Sequence, residues 1–144
     1  MRCIDVNVLV YAHRADVPQH GDYRRLLDGL ANADEPLGIP DSVLSGFLRV
    51  MTNRRIFTEP STEAAVWAAI DALLGAPAVM QLRTGERHWG IFRQLATAID
   101  ATGNDVADAY LAAYAVENNA DWLSADRGFA RFPLLRYRHP LDVR

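Results

Sequence analysis

Short apolar runs along the chain alternate with longer stretches in which apolar residues recur every three or four positions. The short runs predict strands at residues 2–4, 37–39, 78–82, 122–124 and 135–137. The helical spacing predicts helices over residues 8–12, 23–30, 41–51, 62–74, 89–102 and 104–118. Strands that are separated by helices pair in parallel, because a parallel connection needs a crossover. The pattern therefore predicts one α/β domain over residues 1–144, with a mostly parallel central sheet of four or five strands flanked by helices.

Three bulky aromatic residues lie on the apolar faces of the predicted helices: Trp67, Trp89 and Phe92. Side chains at that spacing ordinarily pack against the rest of the domain. We therefore expect all three in the core.

The composition bears on where the protein works. Half of the residues are hydrophobic and 23% are charged, as in an ordinary globular domain. The single cysteine, Cys3, cannot form an internal disulfide and lies in an apolar run. The N-terminus lacks the blocks of a secretory signal, and no apolar run is long enough for a membrane span. We therefore expect a cytoplasmic protein that does not act at a membrane.

The charge pattern bears on nucleic-acid binding. The formal net charge of −3 argues against a broad basic surface. It does not exclude a nuclease, because metal-binding acids can outweigh a local cationic rim in the total. All fifteen Lys and Arg positions are arginine, and the planar arginine fork can bond two phosphate oxygens. A genome biased toward arginine codons would explain the same composition.

Asp108 interrupts a predicted helix that is otherwise almost wholly apolar. One turn away on either side the chain has Asn104 and Ala112, so the helix itself offers no i,i+4 ion pair. A buried carboxylate is costly unless it pairs, protonates or coordinates a metal. Asp108 is therefore a candidate metal ligand. An ion pair with a distant arginine, or a favourable charge near the helix N-terminus, is the alternative.

Two further aspartates follow predicted strands, and a third shares a helix face with Asp108. Asp5 and Asp126 lie just beyond strands, where sites of open α/β sheets gather. Each also has an ordinary explanation, Asp5 as a helix N-cap and Asp126 as a turn residue. Asp105 either adds a second carboxylate to the cluster with Asp108, or simply lies in the first turn of the helix, where negative charge is favoured. Carboxylates that converge from three elements can bind Mg²⁺ or Mn²⁺.

The sequence carries no motif for a zinc site or for a nucleotide-binding loop. Cysteine and histidine do not occur at zinc-site spacing, and neither of the glycine-rich phosphate loops is present. The four histidines are scattered. The carboxylates are therefore the main candidates for chemistry.

These residues occur in an order that resembles the PIN-domain nucleases, in particular the VapC toxins of bacterial toxin–antitoxin pairs. The matching segments are CIDVNVLVY at 3–11, DAYLAA at 108–113, NNA at 118–120, LSADRGF at 123–129, FP at 132–133 and PL at 140–141. Each segment alone is weak evidence for the family. Their order and spacing over nearly the entire chain make the resemblance specific.

The resemblance implies a role for each candidate residue. Asp5 and Asp108 would be the principal metal ligands, and Asp126 would complete or orient the site. Ser124 would match the small hydroxyl residue that the family has beside the site, or would satisfy the end of a strand. Asn7 would hold Asp5 through a hydrogen bond, or would cap a helix. Mg²⁺ is the expected cofactor, with Mn²⁺ as a substitute.

The chain departs from the family at one position. The family usually has a glutamate in the helix after the second strand, at a spacing that falls here on Gly46. This departure weakens the case for a complete two-metal centre. Asp41 points elsewhere on an ideal helix, so Asp105 is the better substitute. Arg49, just beyond, is expected to meet phosphate or to pair with an acid.

The implied function is a Mg²⁺-dependent endoribonuclease that cleaves RNA phosphodiesters and inhibits growth as the toxin of a type II toxin–antitoxin pair. The implied partners are an RNA substrate, a cognate antitoxin and a second copy of the chain. A degenerate PIN domain that binds RNA or protein without cutting is one alternative. An aspartyl-phosphate phosphatase with Asp5 as nucleophile is another, although Asn7 spoils its usual D-x-D motif.

Overall fold

The computed structural model describes residues 1–142, and positions 143 and 144 of the predicted domain lie outside the described residues. The strands within this range are β1 (Arg2–Ile4), β2 (Leu37–Pro40), β3 (Val79–Leu82), β4 (Asp121–Leu123) and β5 (Arg136–Arg138). The α-helices are α1 (Val6–His13), α2 (His20–Ala31), α3 (Asp41–Met51), α4 (Glu63–Leu74), α5 (His88–Ala98) and α6 (Asn104–Glu117). Short 3₁₀ helices follow β4 at Arg127–Arg131 and β5 at Pro140–Asp142.

The strands form one sheet in the order β3-β2-β1-β4-β5, and each neighbouring pair is parallel. This confirms the predicted α/β class and the predicted sheet. The main differences lie at helix boundaries. Helix α5 ends at Ala98 rather than near residue 102, because the chain turns there and Asp100 takes a left-handed backbone conformation with a φ of 50°. Helix α1 begins at Val6 rather than at residue 8, because the Asp5 side chain caps it. Helix α2 begins with the polar turn His20-Gly21-Asp22, which apolar periodicity does not mark.

The core is built from the strands and from the inner faces of the helices. Strand β2 is buried along its whole length. Helix α6 buries four alanines, Ala109, Ala112, Ala113 and Ala115, and their small side chains let it approach its neighbours closely. Helix α6 thus sits deep in the domain, which fixes the position of the carboxylates on its first turns.

The expectation that Trp67 and Trp89 pack in the core is wrong. Trp67 is 47% exposed and Trp89 is 69% exposed. Helix α4 turns Val66 inward, so Trp67 falls on the outer face, where its indole N–H donates to Glu63. Phe92 is half-buried and packs against the core, as expected.

The sheet order places the candidate residues together. From β1 the chain runs to β2 on one side, whereas β4 lies on the other side of β1, so the order reverses between β1 and β4. Ile4 of β1 is in register with Leu123 of β4. Asp5 and Ser124, the next residue in each strand direction, therefore meet at the carboxyl edge, where open α/β sheets carry their sites.

Within the part of the chain that the structure describes, none of the helices is both long enough and apolar enough to span a bilayer.

Candidate metal centre

Asp5 occupies the turn between β1 and α1. Its backbone N–H continues the sheet by donating to the Leu123 carbonyl at 3.0 Å. One carboxylate oxygen, Oδ1, accepts from the Val6 N–H at 2.7 Å and caps α1. The side chain is only 6% exposed. Asp5 is therefore the helix cap, and it is also a buried carboxylate at the carboxyl edge of the sheet.

Ser124 and Asn7 hold the other oxygen of Asp5. The Ser124 hydroxyl donates to Asp5 Oδ2 at 2.6 Å, and the Asn7 amide donates to the same atom at 3.3 Å. Asn7 also donates to Ser124 Oγ at 3.0 Å and accepts from the Ala125 N–H at 3.1 Å. Of the two alternatives for Asn7, the hydrogen bond to Asp5 is present. This network fixes the orientation of the Asp5 carboxylate before any ligand arrives.

Asp126 lies in the turn after β4. Its backbone N–H donates to Ser124 Oγ at 3.0 Å, and its Oδ1 accepts from the Gly128 N–H at 2.8 Å, which caps the 3₁₀ helix. Asp126 Oδ2 has no protein hydrogen-bond donor among residues 1–142. One carboxylate oxygen is thus fixed by the backbone and the other is available.

Asp105 and Asp108 lie on the first turns of α6 and share one arginine. Arg131 Nη2 donates to Asp105 Oδ1 at 3.0 Å and to Asp108 Oδ2 at 3.1 Å. The alternative that the sequence left open for Asp108, a pair with a distant arginine, is therefore present. Sequence reasoning did not identify Arg131, because no local pattern separates it from the other arginines of the chain.

The electrostatics show that the carboxylates act on one another. Burial raises the pKa of Asp5, hydrogen bonds from Ser124 and Val6 oppose that rise, and the negative charges of Asp108 and Asp126 add to it. Burial also raises the pKa of Asp108, Arg131 opposes the rise, and the charges of Asp126 and Asp105 add to it. A raised pKa means that the protein, as it stands, does not fully compensate these charges.

The donor set fits a hard divalent cation, although the side chains are not closed around one. Each candidate ligand is a carboxylate, and Mg²⁺ and Mn²⁺ prefer such oxygens. Within residues 1–142, no three His, Cys, Asp or Glu side chains are placed to hold a metal ion as they lie. The assignment of Asp5, Asp108 and Asp126 as ligands of one cation therefore stays a prediction.

The structure gives a physical reason for Gly46. A Cβ on this residue would lie 2.8 Å from Val6 Cγ2, closer than side-chain carbons approach one another. A glutamate at this position would require Val6 to move. Asp41, an acid on the same helix as Gly46, accepts a hydrogen bond from the buried Tyr114 hydroxyl at 2.8 Å. Asp105 is the acid that shares a partner with Asp108.

A groove of about 450 Å³ adjoins Asp5 and is mostly apolar. Its walls include Val10, Ile56 and Phe57, with Arg49 among the lining residues. Arg49 is exposed and has no acidic partner among residues 1–142, so the ion-pair alternative for this residue is not realised.

Comparisons with known proteins test the resemblance that the sequence shows. The PIN domain family profile matches residues 2–135. The chain belongs to the PIN-domain family. It is 72% identical over 142 residues to Ribonuclease VapC43 of Mycobacterium tuberculosis, an alignment that covers 99% of this chain and 97% of that protein. It is also 43% identical over 140 residues to Ribonuclease VapC25 of the same species, covering 97% and 99%.

Solved structures show the same fold at low sequence identity. The structure of VapBC2 from Rickettsia felis, bound to a DNA fragment from the promoter, contains a chain that matches with a TM-score of 0.71 at 20% identity, covering 96% of this chain and 97% of that one. VapBC-1 from nontypeable Haemophilus influenzae gives a TM-score of 0.69 at 16% identity, covering 96% and 97%. Membership in the PIN family leaves the phosphatase alternative without support.

Proposed function

We propose that this protein is a Mg²⁺-dependent endoribonuclease that acts as the toxin of a type II toxin–antitoxin pair and arrests growth by cutting RNA. Asp5, Asp108 and Asp126 would hold the cation, which Mn²⁺ can replace. The observation that carries the proposal is the meeting of acidic residues at the carboxyl edge of the sheet, where Ser124 Oγ contacts both the Asp5 carboxylate and the Asp126 N–H, and where the charges of Asp108 and Asp126 help to raise the pKa of Asp5. The names of the relatives, which are VapC ribonucleases, support the same substrate class.

The residues of the chain contribute position and charge to the reaction. A divalent cation at the carboxylates would polarise the phosphoryl group and lower the pKa of water at the site. Ser124 and Asn7 hold Asp5 in one orientation, and the Gly128 N–H holds Asp126. Carboxylates held in this way would keep a cation where charge develops on the phosphate, with no reorganisation of the site during the reaction.

We further propose that a cognate antitoxin segment docks in the apolar groove beside Asp5 and that the toxin works as a homodimer. The groove combines apolar walls with the Asp5 carboxylate, so it fits an apolar segment that carries a cationic residue. The complexes from Rickettsia felis and Haemophilus influenzae contain both partners of such a pair.

Cleavage of RNA by the purified protein tests the activity. The wild type is expected to shorten RNA in Mg²⁺ or Mn²⁺ and to stop when EDTA is added. Asp5→Asn should lose at least about 100-fold in rate, because it removes a ligand charge. Asp71→Asn, an exposed aspartate on α4, is the matched control and should cut like the wild type. Equal cleavage by Asp5→Asn would contradict the assignment.

Induction in cells tests the biological role and separates it from the degenerate alternative, which Gly46 motivates. The wild type is expected to arrest growth and to leave mapped cut ends in total RNA, whereas Asp5→Ala should do neither. RNA binding without cleavage in either metal would instead show a binding module. Harmless expression with intact RNA would contradict the toxin proposal.

A further inference from the structure

Arg131 holds its guanidinium against the acidic site from outside the sheet. It lies at the end of the 3₁₀ helix Arg127–Arg131, five positions after Asp126. Nη2 bridges Asp105 and Asp108 at 3.0 and 3.1 Å. The side chain remains about one-third exposed, at 32%. Its charge therefore lies against both carboxylates of α6 and remains in contact with solvent.

Two other contacts hold Arg131 without help from the carboxylates. Nη1 donates to the Gly128 carbonyl oxygen, and the guanidinium carbon lies 4.6 Å from the centre of the Phe132 ring. The absence of a side chain at Gly128 permits this approach, since a Cβ there would lie 2.9 Å from Nη1 and 2.9 Å from Asp126 Oδ1. Arg131 and Asp126 thus share one glycine-dependent turn.

A divalent cation and the guanidinium compete for the same charge. Arg131 occupies Oδ2 of Asp108, a predicted metal ligand. A cation on Asp108 would neutralise the carboxylate and repel the guanidinium, because like charges that share a small site disfavour one another. The contacts with Gly128 and Phe132 would then keep the arginine beside the site with free donors. A planar arginine fork is suited to phosphate oxygens.

We propose that Arg131 is the internal counter-cation of Asp105 and Asp108, and that binding of a divalent cation redirects its guanidinium to a phosphate of the RNA. Arg131 is then a substrate-positioning residue as well as a competitor of the metal. This inference rests on the proposed nuclease function.

Arg131→Gln is expected to strengthen metal binding and to weaken RNA binding. Mn²⁺ affinity is measured without RNA, from the electron paramagnetic resonance signal of the free ion. The variant should bind Mn²⁺ about tenfold more tightly, because charged hydrogen bonds no longer compete. At saturating Mn²⁺ its KM for a single-stranded RNA should rise about tenfold, with a smaller change in kcat. Arg131→Lys keeps the charge but not the fork, so both values should lie between those of the wild type and Arg131→Gln.

Arg25→Gln is the matched control, because it removes an arginine that pairs with Asp22 at 2.6 Å on α2, outside the site. It should change neither constant. An unchanged Mn²⁺ affinity in Arg131→Gln overturns the proposal, and so does tighter Mn²⁺ binding with an unchanged KM. Thermal melting of each variant identifies a loss of folding, and Arg131→Lys then supplies the comparison. If the wild type itself neither binds Mn²⁺ nor cuts RNA, the nuclease proposal has failed instead.

Discussion

The Ser124 hydroxyl lies 2.6 Å from the Asp5 carboxylate oxygen to which it donates, although the two residues are 119 positions apart in the chain. The contact exists because β1 and β4 are parallel neighbours whose carboxyl ends coincide. The same hydroxyl accepts from the Asn7 amide and from the Asp126 N–H. One buried oxygen thus couples the first carboxylate of the site to the backbone of the last.

Replacing Ser124 with alanine should weaken both the fold and the site. The change leaves two donors without their buried acceptor, and each lost hydrogen bond of this kind costs about 1–2 kcal/mol. Urea unfolding should therefore show a lower free energy of unfolding, and RNA cleavage should slow because Asp5 is no longer oriented. Ser45→Ala, an exposed serine on α3, should stay within about 0.5 kcal/mol. Equal stability and cleavage in Ser124→Ala would show that the network is dispensable.

Asp108→Asn should become more stable relative to the metal-free wild type as pH rises. The folded-state pKa of Asp108 is raised, chiefly by burial, so the folded protein holds this proton more tightly than the unfolded chain does. Stability from this group is present at low pH and is lost as pH rises through the raised pKa. Unfolding curves of both proteins in EDTA, from acidic to neutral pH, measure the difference. If the wild type instead gains stability relative to Asp108→Asn as pH rises, the expected direction is wrong.

Gly46→Ala should destabilise the protein, although alanine ordinarily favours a helix. The new Cβ would meet Val6 Cγ2 at 2.8 Å, and overpacking of this kind costs about 1–3 kcal/mol. Gly29→Ala on α2, where a Cβ meets nothing within 4 Å, should instead be neutral or stabilising. The double variant Val6→Ala/Gly46→Ala should recover part of the loss. Equal unfolding midpoints for the two single variants would exclude the proposed contact.

Arg49→Gln should weaken RNA binding with little effect on the fold. Arg49 lines the groove beside Asp5 and lacks an acidic partner among the described residues, so its charge is free for phosphate. The KM for RNA should rise and depend less steeply on salt, because one phosphate contact is lost. Arg24→Gln, which breaks an exposed i,i+4 pair with Asp28, serves as control. Identical salt dependence in Arg49→Gln and the wild type would remove this residue from the RNA path.

The sequence could predict the parallel sheet and the strand-end residues of the candidate site, because both depend on local patterns. Apolar runs and helical spacing mark the strands and helices, and Asp5, Ser124 and Asp126 lie beside strand ends. The partner of Asp108 could not be predicted, because Arg131 reaches it only through the turn at Gly128 and the packing of α6. The exposure of Trp89 was missed for a similar reason, since spacing alone does not show which helix face remains uncovered.

A titration with Mn²⁺ tests most directly whether Asp5, Asp108 and Asp126 serve one cation. The free-ion resonance signal is followed for the wild type and for the three single Asp→Asn variants, with Asp71→Asn as control. Binding is expected for the wild type and for the control, with an affinity at least about tenfold weaker in each of the three variants. Affinity equal to that of the wild type in all three variants would contradict this expectation.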